Sequence, residues 1–197
     1  MQDVATVEEI KTAKNLTSSR SKIFLETRAY LRKSLSTLFD LEPLKIPINA
    51  HPGEPPSLPS GMGNISLSHC KDAIIIVWHK NKIGIDIERK DRDFNHDKFA
   101  KKYFFHTNKS NHNNYLTKNM ILNQWCALEA AIKWDHGKLA KDINYWQYFE
   151  KPKELIHTKK YIHLNYSEIN FHNWTIALAY KEKTAFNPEI ICSLKNF

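Results

Sequence analysis

Apolar residues recur at helical spacing through the first part of the chain. Ile23, Phe24, Leu31, Leu35 and Leu38 fall on one stripe, with Arg20, Lys22, Arg28 and Arg32 between them, which predicts helix from residue 6 to about 39. The stretch EPLKIPINAHPGEPPSLPSGMG then breaks the period, because its prolines and glycines exclude a long helix. Three short extended runs follow at 65–68, 73–78 (AIIIVW) and 83–88, and HKNK at 79–82 predicts a hairpin turn between the last two.

Helical patterning returns at 97–105, before the polar, Asn-rich segment HTNKSNHNNYLTKN, which reads as a loop. Residues 120–134 predict an amphipathic helix with Ile121, Trp125, Leu128 and Ile132 on one stripe. Two further runs, 161–166 and 174–180, predict strands of a second antiparallel sheet. Helix followed by strands thus occurs twice without a tandem repeat, and the expected class is α+β.

Composition adds little beyond a globular chain with enough aromatic residues for a core. No apolar run approaches the ~20 residues of a membrane span. The opening MQDVATVEEIKTAKN lacks the apolar region of a secretory signal. Cys70, Cys126 and Cys192 are odd in number and lack zinc spacing, so free thiols in a reducing cytoplasm are expected. The formal charge of +8 is more informative, because it calls for an anionic partner. The basic residues are dispersed rather than gathered in a tail, which argues against a nucleic-acid arm.

Three short stretches could carry chemistry. In KIGIDIER, Asp86 and Glu88 share one strand face opposite Ile83, Ile85 and Ile87. That pattern describes either a solvated edge strand or two ligands of a hard cation such as Mg²⁺. In NQWCALEAAIKW, Trp125, Glu129 and Lys133 stack along one helix face, as a surface Glu–Lys pair or as a third carboxylate with a cation beside phosphate. In ISLSHCKDA, Ser68 and His69 are strand neighbours, which face opposite ways and so do not form a hydrolase pair; they could donate to a phosphate.

Taken in order, GEPPSLPSGMGNISLSHC, IGIDIER and WCALEAAIKW resemble the signature of the Sfp-type 4′-phosphopantetheinyl transferases. Their pattern is a Pro-rich segment leading to SHS, then GxDxE, then WxxKEAxxK. The flanks FLETRAYLRKSL and AAIKWDHGKLAKDINYWQY are similar to the cyanobacterial branch. The resemblance implies two similar α/β half-domains in one pseudo-symmetric chain, residues 1–90 and 91–197, with coenzyme A in the cleft between them. It implies transfer of the 4′-phosphopantetheine arm from coenzyme A to a serine of an acidic apo acyl or peptidyl carrier protein, in fatty-acid synthesis, releasing adenosine 3′,5′-bisphosphate.

By the same resemblance, Asp86, Glu88 and Glu129 hold Mg²⁺. Glu129 and Lys133 are catalytic, and Arg20, Lys22, Arg28, Ser68, His69 and Lys133 bind coenzyme A. A cytoplasmic monomer with no nucleic-acid or membrane partner is expected. Two alternatives stay open: a weakened member that binds coenzyme A or carrier protein, and a basic nucleic-acid-binding module.

The chain departs from the family pattern at several points. Leu128 stands where the motif has Lys, Glu54 replaces the Lys of GKP, and Cys70 replaces the last Ser of SHS. Phe104-Phe105 leads to His106, Thr107, Asn108 and Lys109 without the acid some members use as base, which leaves Glu129 or a water for that role. The family's first strand has no counterpart, so an uncovered sheet edge is expected in the N-terminal half.

Overall fold

A computed structural model describes residues 4–50, 54–104, 117–181 and 189–194. They form an α+β protein with two antiparallel sheets. Two compact units are formed by residues 1–63 and 64–197.

In the first unit the expected long helix is two helices, α1 (Val7–Lys14) and α2 (Ser18–Phe39). α1 starts in a capping box. Thr6 Oγ1 accepts the Glu9 amide at 3.2 Å, and Glu9 Oε2 accepts the Thr6 amide at 2.9 Å. Leu31 and Leu35 of α2 are buried, whereas Leu38 is exposed near the helix end. Arg32 is buried too. Its Nε and Nη2 each reach Glu9 at 3.1 Å, and its Nη1 reaches the carbonyls of Ile46 and Pro43. Arg32 therefore ties α1 and the Pro-rich connector to α2, with every partner a charge or a carbonyl.

The second unit opens with β1 (Asn64–His69), β2 (Ala73–His79) and β3 (Ile83–Arg89), followed by α3 (His96–Tyr103) and α4 (Lys118–Trp134). A short helix α5 (Leu139–Asp142) leads to β4 (Trp146–Phe149), β5 (Glu154–His157), β6 (Ile162–Phe171), β7 (Trp174–Tyr180) and β8 (Glu189–Leu194). The three-stranded sheet has the order β1-β2-β8 and the five-stranded sheet β3-β7-β6-β5-β4.

A further expectation changes. The HKNK segment is not the turn of a paired hairpin, because β2 is occupied on both edges by β1 and β8, while β3 pairs along its length with β7. Residues 79–82 instead carry the chain from one sheet to the other. They are held to the end of α4, where Trp134 Nε1 donates to the Lys82 carbonyl at 2.9 Å and the Lys82 ammonium lies 4.4 Å from the Trp134 ring centre. β8, from far along the sequence, pairs with the second edge of β2, while β1 is an edge strand of this sheet. The division into compact units falls at 63/64, so β1, β2 and β3 all lie in the second unit.

β3 is buried on both faces from Ile83 to Ile87, which removes the solvated-edge reading of KIGIDIER. Its isoleucines pack with Ile75, Val77, Ile176 and Leu178 in one core. Its other face meets α4 and consists of Gly84, Asp86 and Glu88, paired across the ladder with Ala179, Ala177 and Thr175. Those small partners let the helix sit close to the sheet. A Cβ on Gly84 would lie 1.9 Å from the Ala130 carbonyl oxygen and 2.7 Å from the Trp134 nitrogen, so only glycine fits.

Gly84→Ala should therefore force α4 outward and cost about 1–3 kcal/mol or more. Chemical denaturation checks this, and an unchanged midpoint would contradict the close approach.

Candidate active site

The face of β3 that meets α4 carries the chemistry. Asp86 is 2% exposed and lies opposite Ala177, so nothing on the neighbouring strand shields it. One of its oxygens, Oδ1, accepts two hydrogen bonds of 2.7 Å, from Ser68 Oγ on β1 and from Lys133 Nζ on α4. The other, Oδ2, is buried and has no hydrogen-bond partner. A buried carboxylate oxygen without a donor is costly, and marks a place where a donor or cation is favoured.

The helix stripe Trp125, Glu129 and Lys133 faces this strand. Lys133 turns to Asp86, so it is not the partner of a simple intrahelical surface pair. Burial opposes its charge, but Asp86 and then Glu129 outweigh that, and its pKa is raised. Glu129, partly buried, is pushed up to about 8, first by burial and then by Asp86, with Lys133 acting against them. Glu88 is also raised, by burial and then by Asp86, while Arg92 holds it at 2.5 Å and pulls the other way. Three carboxylates thus crowd together beside Lys133 and Arg92, and Asp86 works against ionisation of both Glu88 and Glu129.

The sequence-predicted metal residues are brought within electrostatic reach of one another but are not gathered into a cage. Among the described residues no group of three or more His, Cys, Asp or Glu side chains is arranged to hold a metal. An incomplete set of hard oxygens suits Mg²⁺, which takes one or two protein carboxylates and completes its shell from phosphate and water. The unpartnered Asp86 Oδ2 and the raised Glu129 carboxyl both fit such a cation.

The remaining candidates divide. Ser68 is buried, and its one hydroxyl hydrogen is given to Asp86, so it is not a donor to phosphate in this arrangement. His69, the next residue, is exposed. Arg20 and Lys22 are exposed on α2, with Lys22 4.0 Å from Glu26. Arg28 is different. It is 7% exposed, its Nη1 is buried without a hydrogen-bond partner, and it lies 5.1 Å from the Phe24 ring centre. It lines a cavity of about 670 Å³ in the first unit with Leu16, Phe24, Ile46, Pro47 and Glu54. Burial lowers its pKa, with Glu9 opposing, yet a guanidinium stays charged at neutral pH. The cavity therefore holds a guanidinium nitrogen without a hydrogen-bond partner in a lining that mixes apolar side chains with Glu8, Glu9 and Glu54.

The structure also shows what the motifs did not. Leu128 is 2% exposed and packs in the core with Ala100, Phe104 and Leu164, so the position faces away from the carboxylates. A lysine there would have to be buried in apolar surroundings, at a cost of several kcal/mol unless paired. Leu128 is a packing residue, and its sequence position beside Glu129 misleads. Arg92, four residues beyond Glu88, was visible only as an i,i+4 spacing. Buried Cys126 sits on α4 with its thiol 3.6 Å from the Thr175 carbonyl. Burial, and then Asp86, push that thiol well up, so it stays neutral. His106, Thr107, Asn108 and Lys109 lie outside the described residues.

No family model matches the chain, and no curated protein is detectably similar to it.

The raised Glu129 carboxyl has a consequence for stability. The fold favours its protonated form, so this group weakens the fold as pH rises from about 4.5 to about 8. In chelator, Glu129→Gln should melt above wild type at pH 8.5 and alongside it below pH 4.5. A gap of equal size at both pH values would contradict the crowding of carboxylates.

Proposed function

We propose that this protein transfers the 4′-phosphopantetheine arm of coenzyme A to a serine of an apo acyl or peptidyl carrier protein, with Mg²⁺ as cofactor. The observation that carries the reading is the meeting of three separate motifs. Ser68 from NISLSHC and Lys133 from WCALEAAIKW end on the same oxygen of Asp86 from IGIDIER, beside Glu129. Residues so far apart in sequence converge on one carboxylate, which random motif matches would not explain. The pseudo-symmetric pair of half-domains implied by the resemblance belongs to the same proposal.

Asp86 and Glu129, with Glu88 once Arg92 yields, would hold the cation. When bound, Mg²⁺ would neutralise charge on the phosphoryl group under attack and on the departing nucleotide. Lys133 keeps an ammonium beside the same oxygens and, with no metal chemistry of its own, favours the negatively charged group at that place. Glu129, or a water it orients, is assigned the proton of the attacking serine. Arg28 is assigned an anionic group of coenzyme A, by the resemblance its 3′-phosphate. The +8 charge suits an acidic carrier partner, with steering strongest at low salt.

Incubation with coenzyme A, Mg²⁺ and an apo carrier protein should add one phosphopantetheinyl group to the carrier, seen by mass spectrometry. Asp86→Ala should abolish the gain while the protein stays folded. No gain over hours with excess wild-type protein would sink the transfer reading.

Arg28→Met should raise the KM for coenzyme A about tenfold, the loss of one charge-assisted contact. Its melting temperature without ligand should not fall, because a buried guanidinium nitrogen that lacks a hydrogen-bond partner is removed. A lowered melting temperature with unchanged KM would make Arg28 a structural residue.

A further inference from the structure

β1 and β3 belong to different sheets, yet they run side by side in the second unit. They are joined through side chains. Ser66 and Ser68, two apart and so on one face of β1, both reach β3: Ser66 Oγ accepts the Ile85 amide at 3.1 Å, and Ser68 Oγ donates to Asp86 Oδ1 at 2.7 Å. Ser66 fixes where β1 stands against β3, and Ser68 then meets Asp86 at a set height.

A carboxylate in a strand can turn about its Cβ–Cγ bond and exchange its two oxygens. Here two donors from opposite sides, Ser68 and Lys133, hold the same oxygen. The oxygen left over, Oδ2, is buried and unpartnered. We infer that Ser68 is a positioning residue that locks the Asp86 carboxylate so that Oδ2 is presented to the cation, and that it acts on the metal through Asp86 rather than by contacting coenzyme A. This rests on the metal site proposed above and gives Ser68 a different role from the one the sequence resemblance implies. Partners that orient a ligating carboxylate in this way change metal affinity by about 10–100-fold when removed.

The decisive comparison is Ser68→Thr with Ser68→Val, which have the same shape and differ in the hydroxyl. Binding of Mn²⁺ to the full chain with saturating coenzyme A is followed by electron paramagnetic resonance of the free ion, with Asp86→Ala as control and melting temperatures for each variant. Ser68→Thr should bind Mn²⁺ within about threefold of wild type, and Ser68→Val about 10–100-fold more weakly. The Mg²⁺ concentration for half-maximal transfer should rise by the same factor in Ser68→Val, while the KM for coenzyme A at saturating Mg²⁺ stays unchanged. Equal Mn²⁺ affinity in the Thr and Val variants overturns the role of Ser68. So does a raised KM for coenzyme A at saturating metal with unchanged Mn²⁺ affinity, which would place Ser68 on the co-substrate. If wild type and Asp86→Ala bind Mn²⁺ alike, the metal site itself is refuted, and Ser68 with it.

Discussion

The close approach of α4 to β3 over Gly84 is the constraint on which the rest of the second unit depends. A helix normally stands about 10 Å from a sheet because side chains fill the gap, and helix axes pack at 8–10 Å for the same reason. Here Gly84, Ala177 and Ala179 leave that gap almost empty, and the backbone of Ala130 takes the space a Cβ would need. The result is reach. With the helix so near, a lysine two turns along from Trp125 can lay its ammonium on an aspartate of the strand. Small residues on one face of the sheet, from β3 and β7, therefore decide that a polar cluster forms at all.

The cost of that cluster is visible in its own chemistry. Glu88 and Glu129 are both shifted toward protonation, and an oxygen of Asp86 has no donor. A site optimised for folding alone would hold fewer acids or more cations there. Apolar packing on the opposite face of β3, from Ile83, Ile85 and Ile87 against Ile176 and Leu178, supplies the stability against which such a cluster can be kept. The strand separates the two tasks by alternation, with one side for cohesion and the other for chemistry. Arg28 in the first unit follows the same logic, as a buried guanidinium with one nitrogen, Nη1, left without a hydrogen-bond partner.

Much of this was legible in the sequence, and what was not has identifiable causes. β2, β3, β7 and α4 were evident because each has an apolar face of the right period. The single helix expected over 6–39 became α1 and α2, since Asn15, Leu16 and Thr17 carry neither proline nor glycine to announce the break. β4 and β5 are four residues each, too short for a period to emerge. Pairing was the least legible feature, because β3 chooses β7 over its neighbour β2 for reasons of burial that no local pattern contains. At the site, Asp86, Glu129 and Lys133 could be nominated from spacing, but which oxygen each side chain meets could not. Leu128 shows the limit most clearly, since one residue along a helix is a rotation of about 100° and separates the carboxylates from the core.

The order of strands in the smaller sheet has a consequence for how the chain is made. β2 is among the most hydrophobic runs in the sequence, and one of its edges is covered only by β8, more than a hundred residues later. β3 likewise waits for β7. On a ribosome adding about 5–20 residues per second, those edges stand open for several seconds while α4 and the strands after it emerge. Open apolar edges recruit other strands, including those of neighbouring nascent chains. The time of greatest exposure to misassembly thus comes during synthesis, when a chaperone that shields β2 would do most good, and it ends only when the last strand arrives.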